Sequence, residues 1–550
     1  MKLPLASLFL CACALQAQPY INYRGIVNGA SYTPPGPIGS QIAQGSVFSI
    51  FGSGIGPAAL VQVSSFPLQT TLAGVSVKVT QGSTTVNALP IFVLAGQVDA
   101  IMPSNAPLGQ VSVRVTYSGA TSNPVIVTVA QSSFGVFAAN SGGFGPGILQ
   151  NFISPTNQPI NSLTATAVPG QAISLWGTGL GPVPADNVAP TPGNLPTQVE
   201  VFVGGQPASI LYSGRAPCCS GIDQIVFTVP NNAPLGCYVP VQVRTSQTTL
   251  SNSVTMAIQN GGAPCSDPAN PISTAFIKGG KVSVAVLSRS ETYVDVDTTQ
   301  PTDVTDDVGD ITVRTAPGGQ FFFNPSISLP PAGACITYTV SGNPPARTLP
   351  DFFGGLGAEL DAGASASVSG ISSVSIPRAA ASPFYAAVLG TNDPVFGAST
   401  LVLNSSGTTS ISAAGGTGVG AFSVNVPAPP AWSWTNRSQI VTIDRTEALA
   451  LTWSTTGLTN ALLLIAGANY DLPSNALSSF VCAASGGSGS FSIPTYILQA
   501  IPASRPQVGQ SGGALTLGVV PQNAVPFVAS GLDTGLAIQI VSSTKSVLFQ

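Results

Sequence analysis

Histidine is missing from all 550 residues. With it go the usual general base near neutral pH, the Ser-His-Asp and Cys-His nucleophile systems, and almost every catalytic zinc arrangement. Charge is scarce as well: Asp, Glu, Lys and Arg make up 7% of the chain, against roughly a quarter in an ordinary globular protein. The formal net charge of −4 has no basic cluster behind it, so the electrostatic footprint of a nucleic-acid binder or of an anionic-membrane binder is lacking. Long apolar runs are absent too, and none reaches the roughly 18 to 20 residues that span a bilayer. Carboxylate pairs, Lys or Tyr chemistry and metal sites made wholly of oxygen are what these absences leave open.

What is present is hydrophobic residues at 44%, with abundant Gly and Pro. That supplies cores for several domains, and solubility falls to hydroxyls and exposed backbone. The N-terminus carries one cationic side chain, Lys2, then a short apolar core and a small residue at Ala17. It reads as a secretory signal peptide over 1–17; a lipidated Cys13 is the alternative. Six cysteines follow, Cys218, Cys219, Cys237, Cys265, Cys335 and Cys482. An even number in an exported chain favours disulfides. Adjacent Cys218 and Cys219 are expected to take different partners, with Cys237 and Cys265 nearest; Cys335 and Cys482 either pair with each other or stay free.

The chain repeats itself. Phe51-Gly52-Ser53-Gly54-Ile55-Gly56-Pro57 returns as Trp176-Gly177-Thr178-Gly179-Leu180-Gly181-Pro182. The stretch from Pro103 to Gly109 returns from Pro230 to Gly236, at nearly the same offset of roughly 125 residues, about one domain length. Between these marks lie short runs with period-two alternation. In one of them Val75, Val77 and Val79 fall on one face and Ser76 and Lys78 on the other. Matching runs begin at Val111, Val199 and Val239. Short strands bounded by turn residues, with no 3.6-residue apolar period, predict an all-β fold of tandem immunoglobulin-like β-sandwich domains, the first over 18–130 and the second over 131–260. The glycine clusters superficially resemble phosphate loops, but proline follows each at once where a helix would have to start, so tight turns are expected instead.

On these residues the two modules resemble the IPT/TIG family of immunoglobulin-like domains, through the strand running into Gly177-Thr178-Gly179. They look more closely like a repeat of secreted acidobacterial proteins, on Val168-Pro169-Gly170 through Pro182 and on Asp223-Gln224-Ile225 through Gly236. The resemblance covers somewhat under half the chain. It implies sandwich folds and export, and transfers no catalytic residue.

The remainder keeps the same grammar without a third copy. Runs at 281–286, 311–314 and 336–340 predict strands of a third sandwich over 266–428, with turns at the Gly/Ser/Ala-rich passages 363–370 and 405–420. After Pro427-Ala428-Pro429-Pro430 a fourth immunoglobulin-like domain is expected over 429–550, with Trp453 in its core. The densest acidic stretch holds Glu291, Asp295, Asp297, Asp303, Asp306, Asp307 and Asp310. It is expected to be a solvated loop, with calcium as the one cofactor its oxygen ligands would suit; no other cofactor is expected. Among the aromatics, Tyr20, Tyr23, the run Phe321-Phe322-Phe323 and the pair Trp432 and Trp434 are candidates to stack on sugar rings if exposed; alternation would put both tryptophans on one strand face. The expected protein is a secreted or cell-surface, non-catalytic one with an adhesive, structural or glycan-binding role, whose partners are extracellular polysaccharides or surface proteins. A carbohydrate-active enzyme or accessory module is the alternative.

Overall fold

A computed structural model describes residues 18–294, 302–341, 357–378, 385–393, 397–505 and 513–550. The chain is all-β. In the first module, Tyr20–Asn28, Val47–Ser53, Gln97–Ile101 and Thr84–Leu94 lie side by side in that order, and Val75–Gln81, Gly109–Tyr117, Val125–Ala130 and Ile42–Ala43 form the facing layer. Thr84–Leu94 pairs with both layers, through a register shift between Pro90 and Phe92. Alternation sets the core: Val75, Val77 and Val79 are fully buried, with Val77 opposite Val115 and Val79 opposite Val113. Each such valine contributes about 1.5–3 kcal/mol by leaving water.

The second module repeats this order with Gly135–Val136, Ala172–Thr178, Asp223–Thr228 and Gln206–Arg215 against Val199–Val203, Gly236–Thr245, Val254–Ile258 and Gly145–Pro146. The glycine cluster ends its strand as a turn. Gly179 and Gly181 take positive φ, whereas Gly177 is needed because a Cβ there would lie 2.3 Å from the Gly135 carbonyl.

Beyond Cys265 the expected division at 428/429 is replaced by one continuous sheet. Its order is Cys335–Ser341, Ala476–Ser485, Ala461–Asp471, Gly513–Pro521, Thr534–Phe549, Gly280–Val294, Thr302–Ala316 and Tyr385–Thr391. Strands from both expected domains are interleaved: Thr534–Phe549 pairs parallel to Gly280–Val294, and Cys335–Ser341 borders Ala476–Ser485. The Gly/Ser/Ala-rich passages expected as turns contain strands. Ser373–Pro377, Ser365–Ser369, Thr408–Ala413 and Phe422–Pro427 form a second sheet that covers one end of the first. Their outward positions are largely Ser and Thr, which hides the inward row of Ala366, Val368, Ile411 and Val424 in a composition that looks like loop.

One face of the long sheet thus carries two cores. Ala537 belongs to the core under the four-stranded sheet, and Val547 and Phe549, on the same face of the same strand, belong to a second core with Trp434 and Trp453. The opposite face, with Val282 and Val284, packs on the helix Pro271–Lys278 and on the second module. That contact explains why nearly all of Gly236–Thr245 is buried, on both of its faces. Phe202 of the second module stacks on Tyr496 with ring centroids 4.4 Å apart.

Cysteines close the fold in three places. Cys237–Cys265 and Cys335–Cys482 form, and Cys218 joins Cys219 directly, which corrects the expectation of separate partners. The two adjacent cysteines are exposed on a loop between Gln206–Arg215 and Asp223–Thr228, while Cys237 is buried against the segment that leaves the module.

Candidate functional site

Between the two cores, the shared face of the long sheet turns polar. Along Thr534–Phe549 the inward row runs Ala537, Gln539, Val541, Ser543, Lys545, Val547; along Gly280–Val294 it runs Leu287, Arg289, Glu291, Tyr293. The parallel register sets Arg289 beside Val541 and Glu291 beside Ser543. Neither core can extend over this middle stretch, and a cleft of about 380 Å³ opens there. Arg289, Glu291, Gln539, Val541 and Ser543 form its floor. Asn404 and Ser405 form one wall, and the connecting segment 428–434 with Arg437 forms the other. The proline-rich break read from the sequence is that second wall.

The floor is held by a buried ion pair. Arg289 donates from Nε and Nη2 to both carboxylate oxygens of Asp307, at 2.7 and 2.8 Å, and from Nη1 to Ser405 Oγ at 2.6 Å. Asp307 Oδ2 also accepts from the backbone amides of Val402 and Leu403. The pair therefore ties the wall loop to the sheet, and the charge-assisted bonds that satisfy both partners offset their desolvation. Arg437 donates to Ser543 Oγ and Asp303 Oδ2, and its guanidinium and the Lys545 ammonium flank the Tyr293 ring at 5.3 and 5.4 Å. Gln539, 2% exposed, donates from Nε2 to the Asn404 carbonyl, and its buried Oε1 has no hydrogen-bond partner among the described residues.

The two tryptophans part company. Trp434 is 7% exposed, packed in the second core, bridged to Trp453 and bonded through Nε1 to Asn436 Oδ1. Its assignment as a stacking residue is corrected: it is a core side chain whose edge reaches the cleft. Trp432 is half-buried, rests on that core and lines the cleft. Phe322 and Phe323 are packing residues: Phe322 stacks on Phe276, and Phe323 meets Tyr238 edge-on across the second module's boundary. Tyr20 and Tyr23 are exposed, and Phe321 is at the margin of exposure.

The calcium expectation is corrected as well. Residues 302–316 are a strand, not a solvated loop. Asp303 and Asp307 point to one side of it and Asp306 and Asp310 to the other, so the four carboxylates cannot converge on one ion. Asp307 is already saturated by Arg289 and the Val402 and Leu403 amides. Asp295 and Asp297 lie outside the described residues. Among the described residues, no group of three or more metal-ligating side chains forms, and no helix is long and apolar enough to cross a membrane.

A second Arg–Asp pair of the same build joins the two modules. Asp223 binds Arg215 at 2.6 Å and accepts from the Gly179 and Leu180 amides, and Arg215 reaches the Gly45 carbonyl of the first module. Thr178 of the repeated motif accepts from the Val47 amide and donates to the Gly221 carbonyl. The motif that reveals the repeat is therefore also the joint between its copies. Sequence reasoning missed Arg289, Asn404, Arg437 and Gln539 as site residues. The signal available for Arg289 was a guanidinium that continues the alternating row of Ala285 and Leu287 in a chain with so few charges.

No protein-family model matches the chain, and no curated protein matches it. Solved structures match weakly. The extracellular region of plexin A4 is 14% identical over 44% of this chain and 18% of that one, with a TM-score of 0.16. SGBP-B from a xyloglucan utilization locus of Bacteroides uniformis is 11% identical over 54% and 66%, with a TM-score of 0.15. The titin tandem A164-A165 is 10% identical over 40% and 92%, with a TM-score of 0.12. The chain spans less than two thirds of the length of the first two. Likeness at this level carries nothing about what this chain binds.

Proposed function

We propose that the chain is an exported, non-catalytic surface protein that binds extracellular glycan in the cleft between its two C-terminal cores, with the two IPT/TIG-like modules acting as a rigid spacer. The observation that carries this reading is the meeting in one cleft of the half-buried Trp432 indole and a floor of amide, carboxylate and hydroxyl groups. An aromatic face takes the apolar face of a sugar ring, and convergent polar groups take its hydroxyls. The enzyme alternative has less support. Glycoside hydrolysis uses two carboxyl groups flanking the bond, and among the described residues Glu291 is the one carboxylate that lines the cleft.

The test is isothermal titration of the purified chain against soluble plant and cell-wall polysaccharides, with Trp432→Ala in parallel. Saturable binding to at least one polysaccharide, weakened at least tenfold in a folded Trp432→Ala variant, is the expected result. Absence of saturable binding across the panel overturns the reading.

A further inference from the structure

We infer that this cleft selects uncharged, hydroxyl-rich sugars over acidic ones, and that Gln539 and Glu291 set the selection by accepting hydrogen bonds from ligand hydroxyls. The inference rests on the glycan-binding reading and adds to it the ligand class and the residues that choose it.

It follows from which groups on the floor are already committed. Arg289 is consumed by Asp307, Ser405 and the Leu403 carbonyl, and Arg437 is engaged by Asp303 and Ser543. Neither guanidinium is left to neutralise an incoming carboxylate or sulfate without breaking a bond the floor depends on. The acceptors are in the opposite state. Gln539 is buried, donates through Nε2 to Asn404, and among the described residues has no hydrogen-bond partner at Oε1. An unpaired buried carbonyl costs about as much as a lost hydrogen bond, so a ligand that supplies the missing donor recovers that cost. Glu291 lines the cleft half-buried, and among the described residues it has no ion-pair partner and no side-chain hydrogen bond. An ionised carboxylate accepts hydroxyls and repels anions.

A floor with spare acceptors, committed cations and one unpaired negative charge matches a ligand that brings O–H donors and no negative charge. An uncharged hexose or pentose polymer meets that description. A uronate or a sulfated polymer would set its charge against Glu291 in a partly desolvated cleft, where the repulsion is weakly screened.

The experiment pairs polymers of related backbone, mannan with alginate and galactan with polygalacturonate, titrated at fixed ionic strength against the wild type, Gln539→Met, Glu291→Gln and Trp432→Ala. The expected result is that the neutral member of each pair binds at least tenfold more tightly than the acidic one. Glu291→Gln narrows that ratio at least tenfold. Gln539→Met weakens the neutral polymer at least tenfold while its melting temperature stays close to that of the wild type, because removal of a buried unpaired carbonyl offsets the loss of the bond to the Asn404 carbonyl. Equal affinity for both members of each pair, or full affinity in Gln539→Met, overturns the inference while Trp432-dependent binding still stands. If nothing binds, the glycan reading falls and this inference falls with it.

Discussion

Trp432 and Trp434 stand two residues apart and answer to different physics. Truncating Trp434 to Ala opens a void between Trp453 and the surrounding core and is expected to cost about 3–5 kcal/mol. Trp432→Ala removes a ring that rests on that core from outside, and should cost under about 2 kcal/mol. Urea denaturation of the two variants checks both numbers, and a reversal of their order would reassign the two rings. Arg289→Ala leaves the buried Asp307 without its guanidinium partner and is expected to lose about 3–5 kcal/mol, and the double variant Arg289→Met/Asp307→Leu recovers only part of that loss, because the Val402 and Leu403 amides then lack their acceptor. The sequence singled out the tryptophan pair, yet it could not say which ring was core. That depended on the bridge from Trp434 to Trp453, some twenty positions on. Gln539 was less legible still: it reads as one polar position in an alternating strand, and its burial comes from a loop more than a hundred residues earlier.

At the level of elements, the strands of the two repeated modules were readable because alternation in a half-buried strand is local. Val75–Gln81 shows this well, with its three valines inward and Lys78 exposed. The long sheet was not readable, because its pairings are set by partners distant in sequence, as in Val282 to Tyr293 lying beside the strand that ends at Phe549. The cysteines show the same divide. Cys335 and Cys482 sit opposite each other on neighbouring strands, 147 residues apart in sequence. Cross-linking so long a loop restricts the unfolded chain strongly, so Cys335→Ala/Cys482→Ala is expected to lose about 2–5 kcal/mol. Cys218–Cys219 closes no loop of consequence. Cys218→Ser/Cys219→Ser should stay within about 0.5 kcal/mol of the wild type, and calorimetry of both double variants makes the comparison.

For the molecule as a whole, the joint between the first two modules links stability to pH. Burial pushes the Asp223 carboxyl up to about 6, against the opposing pull of Arg215 and the Gly179 and Leu180 amides. A carboxyl whose pKa is higher folded than unfolded binds its proton more tightly in the folded state. The stability it contributes is therefore complete below its ordinary value near 4 and is lost as pH rises through about 6. The melting temperature of the wild type, measured relative to Asp223→Asn, should fall between pH 4 and pH 6.5 and level off above. A flat difference would show that the carboxyl titrates alike in both states.

The interleaved sheet also fixes the order in which a ribosome can deliver this fold. Each of the first two modules has all its strands by residue 130 or 258 and can close as it emerges. The strand Thr534–Phe549 follows every other strand of the long sheet in chain order, yet lies in its middle and contributes to both cores. The chain from Gly280 to Asp533 must therefore wait for the central strand of its sheet. Under the export proposed above, this delay would leave the C-terminal half without its central strand until the last residues have been made.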